Sequence, residues 1–381
     1  GTYNGREWVG TPLADLRGYL NIIERTVDEL TVAGGSVNLN SGGSIVVQPG
    51  AVIDTSAGWL NYGSGYVRTT RLLRQGRLGD IATATPDAVY DRIFTGLFED
   101  LHPRWNITRT YRVPWMDGEH FEEGYLSGAN AGNLSLAAAT MALDGFFRGA
   151  AVSGPRQTDT PAQGGTLDLS FEVQKLVAGG PLDPLISPTP PHVVFQDYND
   201  QRPAAPFASD AAGGPLPLRA DRLDRVVLTP GIFESGGFAA LRVRNPDGNI
   251  TVPKGVVLTT AVKGSITLEG ANVSIFGDVK APGGNLSFLA YNISPGVAEA
   301  LRLATGAVLP APNAGRGSFT LGAGSSLSAA GQIIDYRPGG NTPFNVPVVN
   351  DGGRVSIKSY SASLAAGSEI DVSGGVVAGA I

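Results

Sequence analysis

Gly264-Ser265-Ile266-Thr267-Leu268, followed by Asp278-Val279-Lys280-Ala281-Pro282-Gly283-Gly284, is one unit of a phrase that decides how the chain reads. Alternation with period two places Ile266 and Leu268 on one face of a strand, and the flanking glycines permit the positive φ of a sharp corner. The opening motif returns at Gly35-Ser36-Val37-Asn38-Leu39, Gly43-Ser44-Ile45-Val46-Val47, Gly132-Asn133-Leu134-Ser135-Leu136 and Gly165-Thr166-Leu167-Asp168-Leu169. It returns again at Gly248-Asn249-Ile250-Thr251-Val252, Gly284-Asn285-Leu286-Ser287-Phe288, Gly317-Ser318-Phe319-Thr320-Leu321 and Gly353-Arg354-Val355-Ser356-Ile357.

The closing motif has counterparts in Ala51-Val52-Ile53-Asp54-Thr55-Ser56-Ala57-Gly58 and Glu369-Ile370-Asp371-Val372-Ser373-Gly374-Gly375, where Asp54 and Asp371 suit Asx turns. From Gly35 to Gly58, Gly264 to Gly284 and Gly353 to Gly375 the interval is about 20 to 24 residues, the length of one solenoid coil with three short strands. The fold predicted is therefore all-β, a parallel β-helix with insertions that contain short helices. An antiparallel sandwich or barrel also has short alternating strands, but its hairpins do not require one phrase to return at a coil-sized interval.

Composition agrees. Of 381 residues, 42% are apolar, enough for a substantial core, while 53 glycines, 26 prolines and only 16% charged residues favour short strands and tight turns. Cysteine is absent, which excludes disulfides, thiolate nucleophiles and cysteine-based metal sites. A net charge of −6 and the lack of a long basic run argue against a nucleic-acid partner. No run of about eighteen apolar residues suggests a membrane helix. The start at Gly1-Thr2-Tyr3, without Met or a signal segment, reads as a processed piece of something longer.

Composition shifts divide the chain into 1–58 (coils with a short helix near Pro12 to Arg25), 59–130, 131–180 (coils), 181–230 and 231–381 (coils). Segment 59–130 loses the glycine phrase and gains aromatics and charges. In it Thr85-Pro86-Asp87 resembles a helix start, and Val89, Tyr90, Ile93, Phe94, Leu97, Phe98 and Leu101 follow helical spacing. Segment 181–230, with Pro184, Pro188, Pro190 and Pro191, reads as an extended excursion. A further helix is expected from Ser294-Pro295.

Three stretches resemble the filamentous-haemagglutinin-like exoproteins of the two-partner secretion type from Gram-negative bacteria. They are Gly34-Gly35-Ser36-Val37-Asn38-Leu39, Val52-Ile53-Asp54-Thr55-Ser56-Ala57-Gly58-Trp59, and Tyr66-Val67-Arg68-Thr69-Thr70-Arg71-Leu72 leading to Thr85-Pro86-Asp87-Ala88-Val89-Tyr90. Gly236-Gly237-Phe238-Ala239-Ala240-Leu241-Arg242-Val243 is similar to the later repeats of that family. The resemblance implies a right-handed β-helix, exported through an outer-membrane pore partner and displayed at the cell surface or released as an adhesin. An amino-terminal secretion segment and a carboxy-terminal toxin-like domain are not recognisable in the sequence.

Trp59, Tyr62, Trp105 and Trp115 offer rings that stack on sugars, although rings in an insertion also serve to pack it. Arg68, Arg71, Arg74 and Arg77 recur at every third residue; they could meet a host-cell receptor or acidic glycan as a basic strip, or pair with Asp80, Asp87 or Asp91. A glycan-degrading enzyme on a β-helix would need clustered carboxylates with a basic neighbour. The nearest sets are Asp197, Asp200 and Arg202, and Asp221, Asp224 and Arg225, both in loop-like sequence where solvated charge is expected. His102, His120 and His192 lack metal-ligand spacing. No catalytic residue, cofactor or metal is expected. The reading is an adhesin segment, with a polysaccharide-active enzyme and a passive spacer as alternatives.

Overall fold

The computed structural model describes residues 2–3, 6–7, 10–11, 14–15, 32–68, 71–81, 84, 88–94, 97–112, 119–157, 161–173, 187–204, 211–212, 218–305, 315–335 and 351–378. They form two compact units: Leu60–Ser127 with 154–156, and the remainder.

The larger unit is mostly β, and its long sheets are parallel. The first sheet has seven strands, in spatial order Val37–Asn40, Asn133–Ala138, Thr166–Phe171, Ala240–Asn245, Ser265–Gly270, Asn285–Ala290 and Arg354–Lys358, which is also their sequence order. The second has six: Arg225–Leu228, His192–Phe195, Ile250–Val252, Val273–Ile275, Ser318–Leu321 and Ser361–Leu364. The third has four: Val257–Thr259, Asp278–Lys280, Ser326–Ser328 and Glu369–Asp371. From Ala240 onward the chain visits first, second and third sheet in rotation. Two-stranded parallel pairs continue the pattern, Ser44–Val47 with Thr140–Leu143 and Val52–Asp54 with Phe146–Arg148. The parallel pairing excludes the antiparallel sandwich for this unit.

Register explains the alternation. In the first sheet Leu134, Leu167, Leu241, Ile266, Leu286 and Val355 are successive partners, as are Leu136, Leu169, Val243, Leu268, Phe288 and Ile357. The same holds for Ile250, Val273 and Phe319 in the second sheet and for Leu258, Val279 and Leu327 in the third. These side chains are buried in one core, apart from the half-buried Val355 and Ile357 on the last strand. Each fully buried aliphatic or Phe contributes about 1.5–3 kcal/mol.

Every copy of the opening motif leads into a strand, but the glycines serve a different purpose from the one expected. Among them only Gly317 has a positive φ, of 80°. Those that follow Gly35 at the head of the first sheet are needed because neighbouring strands approach closely there. A Cβ on Gly132 would overlap the carbonyl oxygen of Gly35, one on Gly284 that of Gly264, and one on Gly353 that of Gly284. The last two of these carbonyls accept ladder hydrogen bonds, Asn285 N–H to Gly264 O at 3.0 Å and Arg354 N–H to Gly284 O at 2.8 Å. The motif recurs because strand after strand must pass this constriction.

Asp54 and Asp371 make the turns predicted. Each Oδ1 accepts the N–H two residues on, from Ser56 and Ser373, at 2.9 Å. Those backbone bonds hold both carboxyls below their ordinary value of 3.8. The depressed folded-state value means that the contribution is present above about pH 4 and is lost as pH falls through it. We expect the double variant Asp54→Asn, Asp371→Asn to lose less of its urea midpoint than the parent between pH 5 and pH 3, the amide keeping the turn without the proton linkage. Parallel midpoint curves would contradict this.

Three local expectations are corrected. Residues 88–94 and 97–102 are not helical: Arg92–Phe94 and Leu97–His102 are strands, and Thr85-Pro86-Asp87 lies outside the described residues. Val, Ile, Phe and Tyr at these positions also suit a pleated surface, and cross-strand partners prevail over the spacing. In the stretch Pro12 to Arg25, Ala14–Asp15 is extended and pairs with Gly10–Thr11, while 12–13 and 16–25 lie outside the described residues. The supposed excursion 181–230 supplies two strands of the second sheet, because Val193, Phe195, Val226 and Leu228 alternate inward. They stand in reverse of their sequence order, with Arg225–Leu228 at the sheet's end. The helix expected from Ser294-Pro295 is present as Pro295–Thr305.

Candidate functional site

The smaller unit is antiparallel. Arg71–Arg74 lies between Arg77–Asp80 and Arg92–Phe94; Leu97–His102 pairs with Ile107–Arg112, and Gly65–Arg68 with Glu119–Glu122. Gln75 and Gly76, both at positive φ (48° and 76°), make the two-residue turn that a right-twisted hairpin requires. The Asp91 carboxylate accepts the Gln75 N–H at 2.6 Å, so this acid holds the turn.

That hairpin separates three arginines of the supposed strip, Arg71, Arg74 and Arg77. Arg71 and Arg74, three apart on one strand, point to opposite faces, and Arg74 faces Arg77 across the turn. Arg71 is half-buried opposite Asp80, and Arg74 and Arg77 are exposed. Arg68 ends its strand, and its side chain, like Asp87 and Trp115, lies outside the described residues.

The aromatics divide between packing and exposure. Tyr62 stacks on Tyr125 with centroids 4.8 Å apart and planes 20° off parallel. The Arg156 guanidinium lies 3.8 Å from the Tyr125 centroid and 3.0 Å from the Glu122 carboxylate. Tyr66 meets Phe121 edge-on at 5.4 Å but remains 76% exposed. Trp105, in the 3-10 turn Pro103–Trp105 that tips the long hairpin, is 66% exposed, and Trp59 is exposed also. His102 leans on Trp105 and lies 3.1 Å from Asp100.

In the larger unit Asp200 and Arg225, from the two different carboxylate clusters, pair with each other, and Asp221 joins a neighbouring set of ion pairs. Arg225 donates to both oxygens of Asp200 at 3.1 Å, and Arg219 donates to Asp221 at 3.0 and 2.9 Å, holding that carboxyl below its ordinary range. At the centre the buried Arg222 guanidinium meets the Asp144 carboxylate and donates to Gln201 Oε1 at 2.8 Å. Asn199 Nδ2 and the Ala204 N–H also donate to Asp144, at 3.1 and 2.9 Å. Gln201 Nε2 donates to the carbonyls of Asp221 and Arg225 at 2.9 and 3.0 Å. Asp144, the hub, was not singled out from sequence; its partner Arg222 is 78 positions away, and Leu143-Asp144-Gly145 reads only as a strand end.

His192 Nδ1 accepts the Asn249 N–H at 3.1 Å, and burial pushes its pKa down against the Asp224 charge. Among the described residues no three His, Asp or Glu side chains group as metal ligands. A groove of about 400 Å³ runs past Thr140, Glu172, Pro191, Asn245 and Asp247. Its buried polar groups have structural partners: Asn245 Nδ2 donates to Pro191 O at 2.7 Å, and Asp247 pairs with the buried Arg316 at 3.0 Å. Comparison with family models, curated proteins and solved structures found no match.

Proposed function

We propose that the chain is a non-catalytic segment of a large adhesin, secreted by or displayed on a Gram-negative bacterium after passage through an outer-membrane pore. In this reading the three parallel sheets are the faces of a right-handed β-helix that provides reach. Returns to the first sheet 25 and then 20 residues apart, at Ala240, Ser265 and Asn285, support it. The smaller unit carries the contact with a host-cell receptor or glycan. The observation that carries this assignment is its exposed aromatic surface, with Trp105 at a hairpin tip and Tyr66 beside it in composition and exposure. The non-catalytic part is supported by Asp200 and Asp221, both tied to arginines.

Host-cell and glycan-array binding of the full chain should disappear when the residues between Tyr62 and Tyr125 are replaced by a short Gly-Ser turn. Undiminished binding by the folded shortened chain would place the contact elsewhere, and absence of binding by both chains would favour a passive spacer.

A further inference from the structure

On the outer face of the first sheet, alternation turns Asn285, Ser287 and Leu289 outward beside their register partners Arg354, Ser356 and Lys358. Together they line a groove of about 420 Å³. Among the described residues the one carboxylate in it, Glu269, is occupied: Arg242 donates to it at 3.0 Å, the Tyr291 hydroxyl at 2.9 Å, and Arg244 lies 3.8 Å away. Arg354 and Lys358 are exposed, and among the described residues neither has a carboxylate at ion-pair distance. The groove therefore presents two uncompensated cations, with the hydroxyls of Ser287 and Ser356 between them and the Asn285 amide beside Arg354.

Arg354 and Lys358 are four residues apart on one strand, about 13 Å at the strand rise. A single small anion reaches one of them; a chain that carries repeated anionic groups reaches both. The lining also favours a sugar chain over a nucleic acid. Among the described residues its one aromatic, Phe288, is 1% exposed and packs on Phe319 at 5.3 Å in the core, so none of them offers a ring for base stacking. Hydroxyls and an amide are the partners that sugar hydroxyls and carboxylates take. The protein's net charge of −6 repels polyanions in general, so attraction here is local.

We propose that this groove binds an acidic polysaccharide, with Arg354 and Lys358 each holding a carboxylate of the same chain. The site is separate from the contact assigned to the smaller unit and survives its replacement, so the two assignments fail separately. The test is affinity electrophoresis of the full chain in gels containing polygalacturonate, with neutral dextran as reference. Retardation by polygalacturonate that weakens with salt is expected. The double variant Arg354→Gln, Lys358→Gln should bind about ten-fold more weakly or worse, whereas Lys254→Gln, at an exposed lysine elsewhere, should match the parent. Both variants alter exposed side chains, and an unchanged melting curve verifies their folding. Four results would each overturn the proposal: no retardation of the parent, equal retardation of the double variant, equal retardation by single-stranded DNA, or competition by monomeric galacturonate as effective as the polymer per sugar unit.

Discussion

Replacing Gly284 by alanine is expected to destabilise the larger unit by about 3 kcal/mol or more, while the same change at Gly35 stays within about 0.5 kcal/mol. Both glycines open copies of one motif and both head strands of the first sheet. The difference is what a methyl group meets. At Gly284 it would overlap the Gly264 carbonyl that accepts the Asn285 N–H, so the two strands must part and the hydrogen bond weakens. At Gly35, on the first strand, no atom lies within 4 Å. Neither residue has a positive φ, so backbone conformation alone would make the two substitutions alike. Denaturant midpoints of the two variants decide it, and similar losses would refute the constriction as the reason for the glycine.

Asp144→Ala is expected to cost about 3–5 kcal/mol, because it leaves the Arg222 guanidinium buried without its counter-ion. Arg222 and Asp144 side chains are 2% and 6% exposed, so water cannot replace the lost partner. The carboxylate also holds Asn199 and the Ala204 N–H, and Arg222 holds Gln201, which in turn ties the carbonyls of Asp221 and Arg225. Loss of the hub should therefore loosen the segment that leads into Arg225–Leu228. The double variant Asp144→Leu, Arg222→Met should recover part of the stability, since two apolar side chains leave no buried charge. Thermal unfolding of the single and double variants measures the coupling. Additive losses would mean that the pair does not act as a unit.

Much of the β architecture was legible because its signal is local and repeated. Alternating apolar positions such as Leu134 and Leu136, or Ile266 and Leu268, are the residues that stack in register. The glycine before them marks each strand start, although its cause, a carbonyl on the neighbouring strand, is a tertiary fact that no single copy displays. Residues 85–101 misled for a related reason. Apolar positions three and four apart suit a helix, yet the same β-branched and aromatic side chains suit a hairpin, and only the partner strand Ile107–Arg112 decides. Arg71, Arg74 and Arg77 do not form one strip, because a two-residue turn at Gln75-Gly76 changes which of them are neighbours. The carboxylate clusters were found, but their organiser was not. Asp144 acts through residues 55 to 78 positions away, and nothing around it in the sequence announces them.

The stacked pair Tyr62 and Tyr125 bears on the order in which the chain can assemble. Leu134 stands 97 positions after its register partner Val37, whereas Asn285 stands only 20 after Ser265. Closing the longer interval as flexible chain costs about 1.4 kcal/mol more, at roughly 0.6 kcal/mol per doubling of loop length. Most of that interval lies between the two tyrosines, whose ring centroids are 4.8 Å apart. Once contacts inside the smaller unit have joined them, the remaining tether from Val37 to Leu134 is short, and the entropy of the long interval has already been surrendered. Strands Val37–Asn40, Ser44–Val47 and Val52–Asp54 precede the strands they pair with, Asn133–Ala138, Thr140–Leu143 and Phe146–Arg148, by more than 90 positions. They gain partners only after a later-made segment has folded.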